Sequence, residues 1–397
     1  MSKYKKIIFI LFLSFTFFYA GVALADQVGV SVDQTIFAFG TVFMENDIEE
    51  KYFNFSLKAS PKYALVSAFV LLTVGAGTIF IVVFLAKMYV ADIFAGTAAR
   101  QRNVPGEVSI KMIEKAIDFN GNEGKYYTFE GQQYMTLANS EFLKGEKADK
   151  NLFGEYLDSA IMFTSKGKEL MPKDITAVES FAEALENKSL YSAQFFDQAI
   201  SAYNDALALE PHNAIYFLKI GKIYAMQASL EKDENTKNAL INKAKDWFQK
   251  AVNEKNNLAE AQFQLGSIQQ VLGEKDDAIL SLQKAIMLDN SNADYFLMLA
   301  NAYQLRGNSG DYENAENIYK NIISVRGDDA NTYLSLGLLY EKMKRFSDAS
   351  EQYKKVSDLL PDSNKDAKTK IQKMISNANQ GIENTAENTT DSAAANQ

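Results

Sequence analysis

Asn331 to Pro361 reads NTYLSLGLLYEKMKRFSDASEQYKKVSDLLP, and the interpretation of this stretch decides the fold. Tyr333, Leu336, Gly337 and Tyr340 recur at helical spacing and share one face of a short helix. Ala349, Tyr353 and Val356 form the matching face of a second helix. Gly337 and Ala349 are small, as two packed helices require where their axes approach to about 8–10 Å. Pro361 has no N–H to donate and disfavours helix in the residue before it, so the second helix stops there.

The same order of large, small and aromatic positions recurs in phase. Ala293–Gly327 supplies Phe296, Leu299, Ala300 and Tyr303, then Gly307, then Ala315 and Tyr319. Ala259–Asn290 supplies Leu265 and Gly266, then Gly273, Ala278, Leu282 and Ala285. Ala214–Asn256 supplies Phe217, Ile220, Gly221 and Tyr224, then Ala244, Phe248 and Ala251. Ala199, Tyr203, Ala206 and Pro211 complete the second helix of an earlier unit, and Thr176–Lys188 supplies the helix before it. The pattern resembles the tetratricopeptide repeat, a helix-turn-helix of about 34 residues. That resemblance implies an all-α fold, an α-solenoid in which each unit touches only its neighbours. The solenoid is placed at 174–361, closed by a capping helix at 362–380 whose apolar face carries Ile371, Met374 and Ile375. The segment 381–397 is polar, lacks aromatic residues and is expected to be disordered.

Two units depart from the repeat length. About eleven residues beyond the family spacing of about 34 lie between Ala225 and Ala244, and about three lie between Gly307 and Ala315. Both insertions fall in the turn inside a repeat and are expected to project from one edge.

The N-terminal part has another character. Lysines in MSKYKK precede an uncharged run from Ile7 to Ala25, the pattern of an export signal. Residues 1–25 are either a signal cleaved after Ala25 or an uncleaved anchor helix. Both readings keep the lysines inside and export Asp26 onward, leaving 26–62 as an exported loop in which alternation hints at one or two strands. A second uncharged run, Tyr63 to Ala86, is long enough to cross a hydrocarbon core of about 30 Å at about 1.5 Å per residue. Lys62 and Lys87 bracket it, and Tyr63 and Tyr89 sit where aromatics favour the interface. Thr73 and Gly77 form a small-xxx-small pair that offers a seat for a partner membrane helix. The chain is therefore expected to be an integral membrane protein, with the bacterial inner membrane as its expected location and the repeats on the cytoplasmic side. The basic residues flanking the second run do not choose a side, so this orientation rests on the first run.

No proline follows the span until Pro105, so its helix is expected to continue to about Arg102. Val108–Asn120 reads as a helix with Ile110, Ile113 and Ile117 on one face. Tyr127, Gly131 and Tyr134, with Ala160 and Pro172, make 108–172 a degenerate repeat region interrupted around Phe142–Gly154. Residues 60–135, with Tyr89-Val90-Ala91-Asp92 after the span, also resemble the C-terminal end of O-antigen ligase-like membrane proteins that carry these repeats.

Catalysis finds little support. The chain has 1 His and 0 Cys, which removes thiolate metal sites and a cysteine nucleophile. His212 stands beside Pro211 in a turn, without a second ligand at a suitable spacing. Asp276-Asp277 and Asp328-Asp329 flank turns where aspartate caps helices. No glycine-rich phosphate loop occurs, so no catalytic residue, cofactor or metal is expected. A formal charge of −9 speaks against nucleic acid as a partner. The expected ligand is a protein or peptide.

The resemblance implies a concave groove lined by first helices. Its candidate residues here are Leu218 and Lys222, Phe263 and Gln270, Asp294, Asn301 and Gln304, then Asn331 and Leu334. Some family members grip a C-terminal carboxylate with a lysine, asparagine and arginine clamp. Apart from Lys222 and Asn301 that set is missing, so chaperone-tail binding is not expected. The function expected from the resemblance is a membrane-anchored scaffold that binds a protein through its groove. The alternatives are an accessory subunit of an envelope polysaccharide ligase or glycosyltransferase system, and a translocation or envelope-assembly factor.

Overall fold

A computed structural model describes residues 61–100 and 106–394. The expected signal or anchor at 1–25 and nearly all of the exported loop lie outside the described residues. Among the described residues every regular element is helical. They form two compact units whose sequence boundary falls between Met171 and Pro172.

The first unit holds α1 (Pro61–Arg100), α2 (Gly106–Phe119), α3 (Gly124–Phe142) and α4 (Lys150–Leu170). Helix α1 changes character along its length. Leu72, Phe80 and every residue between Ala76 and Phe84 stand exposed, so apolar side chains project on all sides. Beyond Lys87 one side becomes covered: Ala91 and Ala98 are buried, Phe94 stacks on Phe119, and Tyr126 donates its hydroxyl to Asp92 at 2.5 Å. Within α2 the expected apolar face is the packed one, with Ile110 and Ile113 buried and Ile117 set against the same cluster.

Helices α3 and α4 form a close pair. A Cβ at Gly131 would lie 3.0 Å from the Ala160 carbonyl oxygen, and one at Gly167 would lie 3.0 Å from the Thr128 nitrogen. Backbone thus meets backbone at both crossings, which explains the glycines of the degenerate region. Between the two helices comes a short 3-10 turn, Gly145–Lys147, and then Asp149, whose carboxylate caps α4 by accepting from the Asn151 and Leu152 amides.

The second unit is a run of five helix pairs. They are α5 (Ile175–Ser189) with α6 (Phe196–Leu209), α7 (Ala214–Leu230) with α8 (Glu234–Glu254), and α9 (Ala259–Val271) with α10 (Lys275–Leu288). The run ends with α11 (Ala293–Arg306) and α12 (Asp311–Val325), then α13 (Ala330–Lys342) and α14 (Phe346–Leu359). The small first-helix positions seat the large second-helix ones. A Cβ on Gly221 would lie 2.6 Å from Phe248 Cδ1, one on Gly266 would lie 2.8 Å from Leu282 Cγ, and one on Gly337 would lie 2.8 Å from Tyr353 Cδ1. Asp174, Asn213, Asp233, Asn292 and Asp329 cap the helices that follow them through side-chain oxygens.

Helix α15 (Lys365–Ala394) closes the run, burying Ile371, Ile375 and Ala378 against the last repeat core. The helix continues through most of the stretch whose polar composition predicts disorder.

One expectation about the insertions is corrected. The extra residues after Ala225 do not form a projecting turn. They lengthen α7 and α8, leaving only Glu231–Asp233 as a connection. Ala228, Leu240 and Ile241 are buried along the added length, so apolar burial outweighs the helix-weakening effect of the polar stretch SLEKDENTKN. The shorter insertion is a turn, with Gly307 and Gly310 both at positive φ, where glycine is the least strained residue. Arg306 ties it down by donating from Nε and Nη2 to the Asp311 carboxylate at 2.9 and 2.7 Å.

Candidate functional site: the groove across three repeats

The site begins with helix periodicity. Each first helix turns one face to its own second helix, and the residues one turn away are left for the open side. On α9, α11 and α13 these residues surround a groove of about 700 Å³. Its apolar lining comes from Phe263, Leu297, Met298 and Leu338. Its polar lining includes Asn301, Gln304, Asn331 and Ser335, with Tyr319 reaching in from α12. Three charged groups share the site: Asp294 at the start of α11, and Glu341 and Lys342 at the end of α13.

Two of these groups are held in place. Gln304 is buried and donates its amide to the Tyr319 hydroxyl at 2.6 Å. Burial pushes the Tyr319 hydroxyl up to about 12, so it stays a neutral donor and acceptor at any ordinary pH. Phe263 stacks on Tyr295 with ring centroids 4.7 Å apart, which fixes the wall of the groove. By contrast, Asn301, Asn331 and Asp294 are exposed. Each exposed asparagine amide offers a donor pair and an acceptor to whatever enters.

The structure therefore gathers Phe263, Asp294, Asn301, Gln304 and Asn331 into one place. It puts the other four candidates elsewhere. Leu218 lies in the core of the α7–α8 pair, 5% exposed, so it cannot meet a ligand. Leu334 packs against the C-terminal core. Gln270 is half-buried outside the groove, with its Oε1 unpaired. Lys222 is bound by Glu260 at 2.8 Å. Burial alone would push Glu260 up, but hydrogen bonds from Lys222, Gln264 and Tyr295 outweigh it and hold the carboxyl below its usual range.

The Lys222 pair belongs to a wider arrangement. Each junction between successive repeats carries an ion pair: Lys219 with Glu186 at 2.9 Å, Lys245 with Glu274 at 2.5 Å, Arg306 with Asp276 at 2.7 Å and Arg345 with Glu316 at 2.7 Å. Asp276 is thus a bridge to the next repeat rather than the helix cap its position suggests. Glu316 also accepts from Tyr340 and Lys320, and these contacts overcome its burial to hold its carboxyl low. The charged residues that sequence spacing leaves unexplained serve to join the repeats.

His212 stands 87% exposed in its turn, with Nδ1 3.1 Å from Glu254. Among the described residues no cluster of three or more His, Asp or Glu side chains is arranged to hold a metal ion.

Comparison with known proteins agrees with the repeat geometry. The family described as tetratricopeptide repeat matches residues 259–292 and 330–362, the α9–α10 and α13–α14 pairs. A family described as the plant-specific mitochondrial import receptor subunit TOM20 matches residues 168–260. Curated proteins give no match. Among solved structures, a crystal structure of MamA is 31% identical over 46% of this chain and 96% of its own, with a TM-score of 0.37. A thermophilic repeat protein from Thermus thermophilus is 17% identical over 53% of this chain and 98% of its own, with a TM-score of 0.39. Yeast Tom70 is 14% identical over 75% of this chain and 55% of its own, with a TM-score of 0.43.

Proposed function

Because the chain belongs to the tetratricopeptide repeat family, we propose that it is a membrane-anchored scaffold that holds a protein partner in the groove across α9, α11 and α13. The groove carries this reading: it sets exposed amides beside apolar walls, a combination suited to the main chain and side chains of an extended peptide.

The anchoring half of the proposal rests on α1. One helix among the described residues is long and apolar enough to cross a membrane. A helix that is apolar all round needs either a protein interior or lipid around it. Here the stretch Ala76–Phe84 is exposed on every side, so lipid is the medium that fits. Asp92 and the packed surface beyond Lys87 then belong outside the bilayer; the cytoplasmic side for the repeats rests on the first apolar run alone. A Cβ on Gly77 would meet nothing within 4 Å, so a second membrane helix could approach the span at this position.

A second reading follows from the match over residues 168–260 to the import-receptor family: an import receptor on an organelle surface. The two readings share the groove and differ in location.

A photocrosslinking amino acid placed at Asn301, compared with one at Met287 outside the groove, tests the shared part. In intact membranes the Asn301 probe is expected to capture discrete proteins that the Met287 probe does not. Equal capture at both positions, or none at Asn301, removes the groove as the working surface. Protease digestion of spheroplasts tests the side: repeats protected until lysis support the cytoplasmic orientation, and cleavage in intact spheroplasts reverses it.

A further inference from the structure

We propose, resting on the groove reading above, that the partner segment is an extended peptide with a basic side chain next to a large apolar one, and that an acidic or carboxylate-ended segment is rejected. The charge left over after the repeats have been joined decides the preference. The lysines and arginines that join the repeats are already committed: Lys219 to Glu186, Lys222 to Glu260, Lys245 to Glu274, Arg306 to Asp276 and Asp311, and Arg345 to Glu316 and Asp348, which leaves Lys342 as the one cation in the groove lining. Pulling any of them away to meet a ligand carboxylate would strand its partner, and Glu316 and Asp311 are too buried to be stranded cheaply.

Asp294 is in the opposite position. Its carboxylate is exposed and forms no ion pair among the described residues, while Glu341 and Lys342 add one charge of each sign at the end of α13. The groove lining thus sets two carboxylates against one lysine in a chain of formal charge −9, a field that draws cations and repels acidic segments. The apolar walls supply the second requirement. Leu297, Met298 and Leu338 with Phe263 make a slot for one large apolar side chain, and the flexible methionine lets it accept more than one shape. Between slot and rim, Asn301 and Asn331 offer main-chain hydrogen bonds that read no side chain. A basic residue beside an apolar anchor satisfies all three features at once.

The test uses the full chain in lipid nanodiscs to select from a displayed library of random dodecapeptides, each with a blocked C-terminus or a free one. Selected peptides are expected to enrich lysine or arginine close in sequence to leucine, phenylalanine or methionine, with blocked ends favoured. Asp294→Lys should weaken a selected basic peptide about two- to five-fold and flatten its salt dependence, the size expected of one exposed ion pair. Asp294→Asn, which keeps the shape, should do half of this or more. Leu338→Arg, which fills the slot, should abolish selection. Enrichment of acidic or free-carboxylate peptides overturns the charge assignment while leaving the groove reading intact. Selection equally strong on the Leu338→Arg chain, or no enrichment at all, overturns the groove reading and the assignment with it.

Discussion

Glu130 is the group in the first unit whose replacement tells most. It lies on α3 with 0% exposure, and neither carboxylate oxygen has a hydrogen-bond partner. Burial, with some repulsion from Glu114, pushes it up to about 8 from the usual 4.5. Nearby Tyr134 is raised by its own burial and by Glu130 and Glu114, and it provides no positive charge. The sign follows from linkage. The fold favours the protonated carboxyl, so the folded unit is at its best below pH 4.5 and loses stability as pH rises towards 8. At about 1.4 kcal/mol per pH unit, the interval from 4.5 to about 8 amounts to a loss of about 4–5 kcal/mol at most. Glu130→Leu removes both the ionisation and an unpaired polar group of similar size. It should therefore stabilise α3 by several kcal/mol at pH 8.5 and by about 1–3 kcal/mol at pH 5. Hydrogen exchange of the α3 amides in the full chain in nanodiscs, corrected for intrinsic rates, reads this directly. Equal pH dependence in the two proteins between pH 5 and 8, or a leucine variant less protected at both ends, refutes the reasoning.

Three further predictions concern the second unit and can be read on a 172–397 fragment by thermal or urea unfolding. Gly337→Leu drives a side chain into the Tyr353 ring and should cost about 1–3 kcal/mol, with an unchanged melting temperature contradicting the helix register. Lys344 holds φ 58° in the turn where Gly273 and Gly307 serve in neighbouring repeats; Lys344→Gly should gain about 0.5–1 kcal/mol, and a loss would show that its side chain matters more than its backbone. Arg306→Ala leaves the 2% exposed carboxylate of Asp311 without its cationic partner, holding only the Asn308 amide, and should cost about 1–3 kcal/mol. Hydrogen bonds from Arg306 hold Asp311 below its usual range, so that stability is present above pH 3.8 and lost in acid; the alanine variant should show a smaller loss on acidification.

The repeat fold was legible because its rule is steric and local. Gly221, Gly266 and Gly337 each face an aromatic or a leucine of the second helix, and a larger residue does not fit those crossings. In the first unit Gly131 likewise meets Ala160 backbone to backbone, so the same steric rule operates at that crossing. Length misled where sterics were silent. The residues after Ala225 break the repeat spacing and look like a turn, yet Leu240 and Ile241 lie along an extended helix face and are buried there. A polar stretch with two apolar residues at helical spacing carries that signal, and only the partner helix makes it decisive.

The candidate groove was half legible, and the reason separates its two kinds of residue. Phe263, Asp294, Asn301, Gln304 and Asn331 were placed by periodicity on neighbouring first helices, and the stacking of those helices brings them together. Leu218 and Lys222 sit at comparable positions on α7, but the longer α7–α8 pair buries the leucine and the next repeat claims the lysine through Glu260. An ion pair between repeats joins residues about one repeat apart in sequence, and nothing in the spacing of either residue alone announces it. Reading charges pairwise at one-repeat separation would have found Glu186 with Lys219, Asp276 with Arg306 and Glu316 with Arg345. Once those are removed, Asp294, Glu341 and Lys342 are the charges that remain in the groove lining, and the proposed preference for a basic partner rests on that remainder.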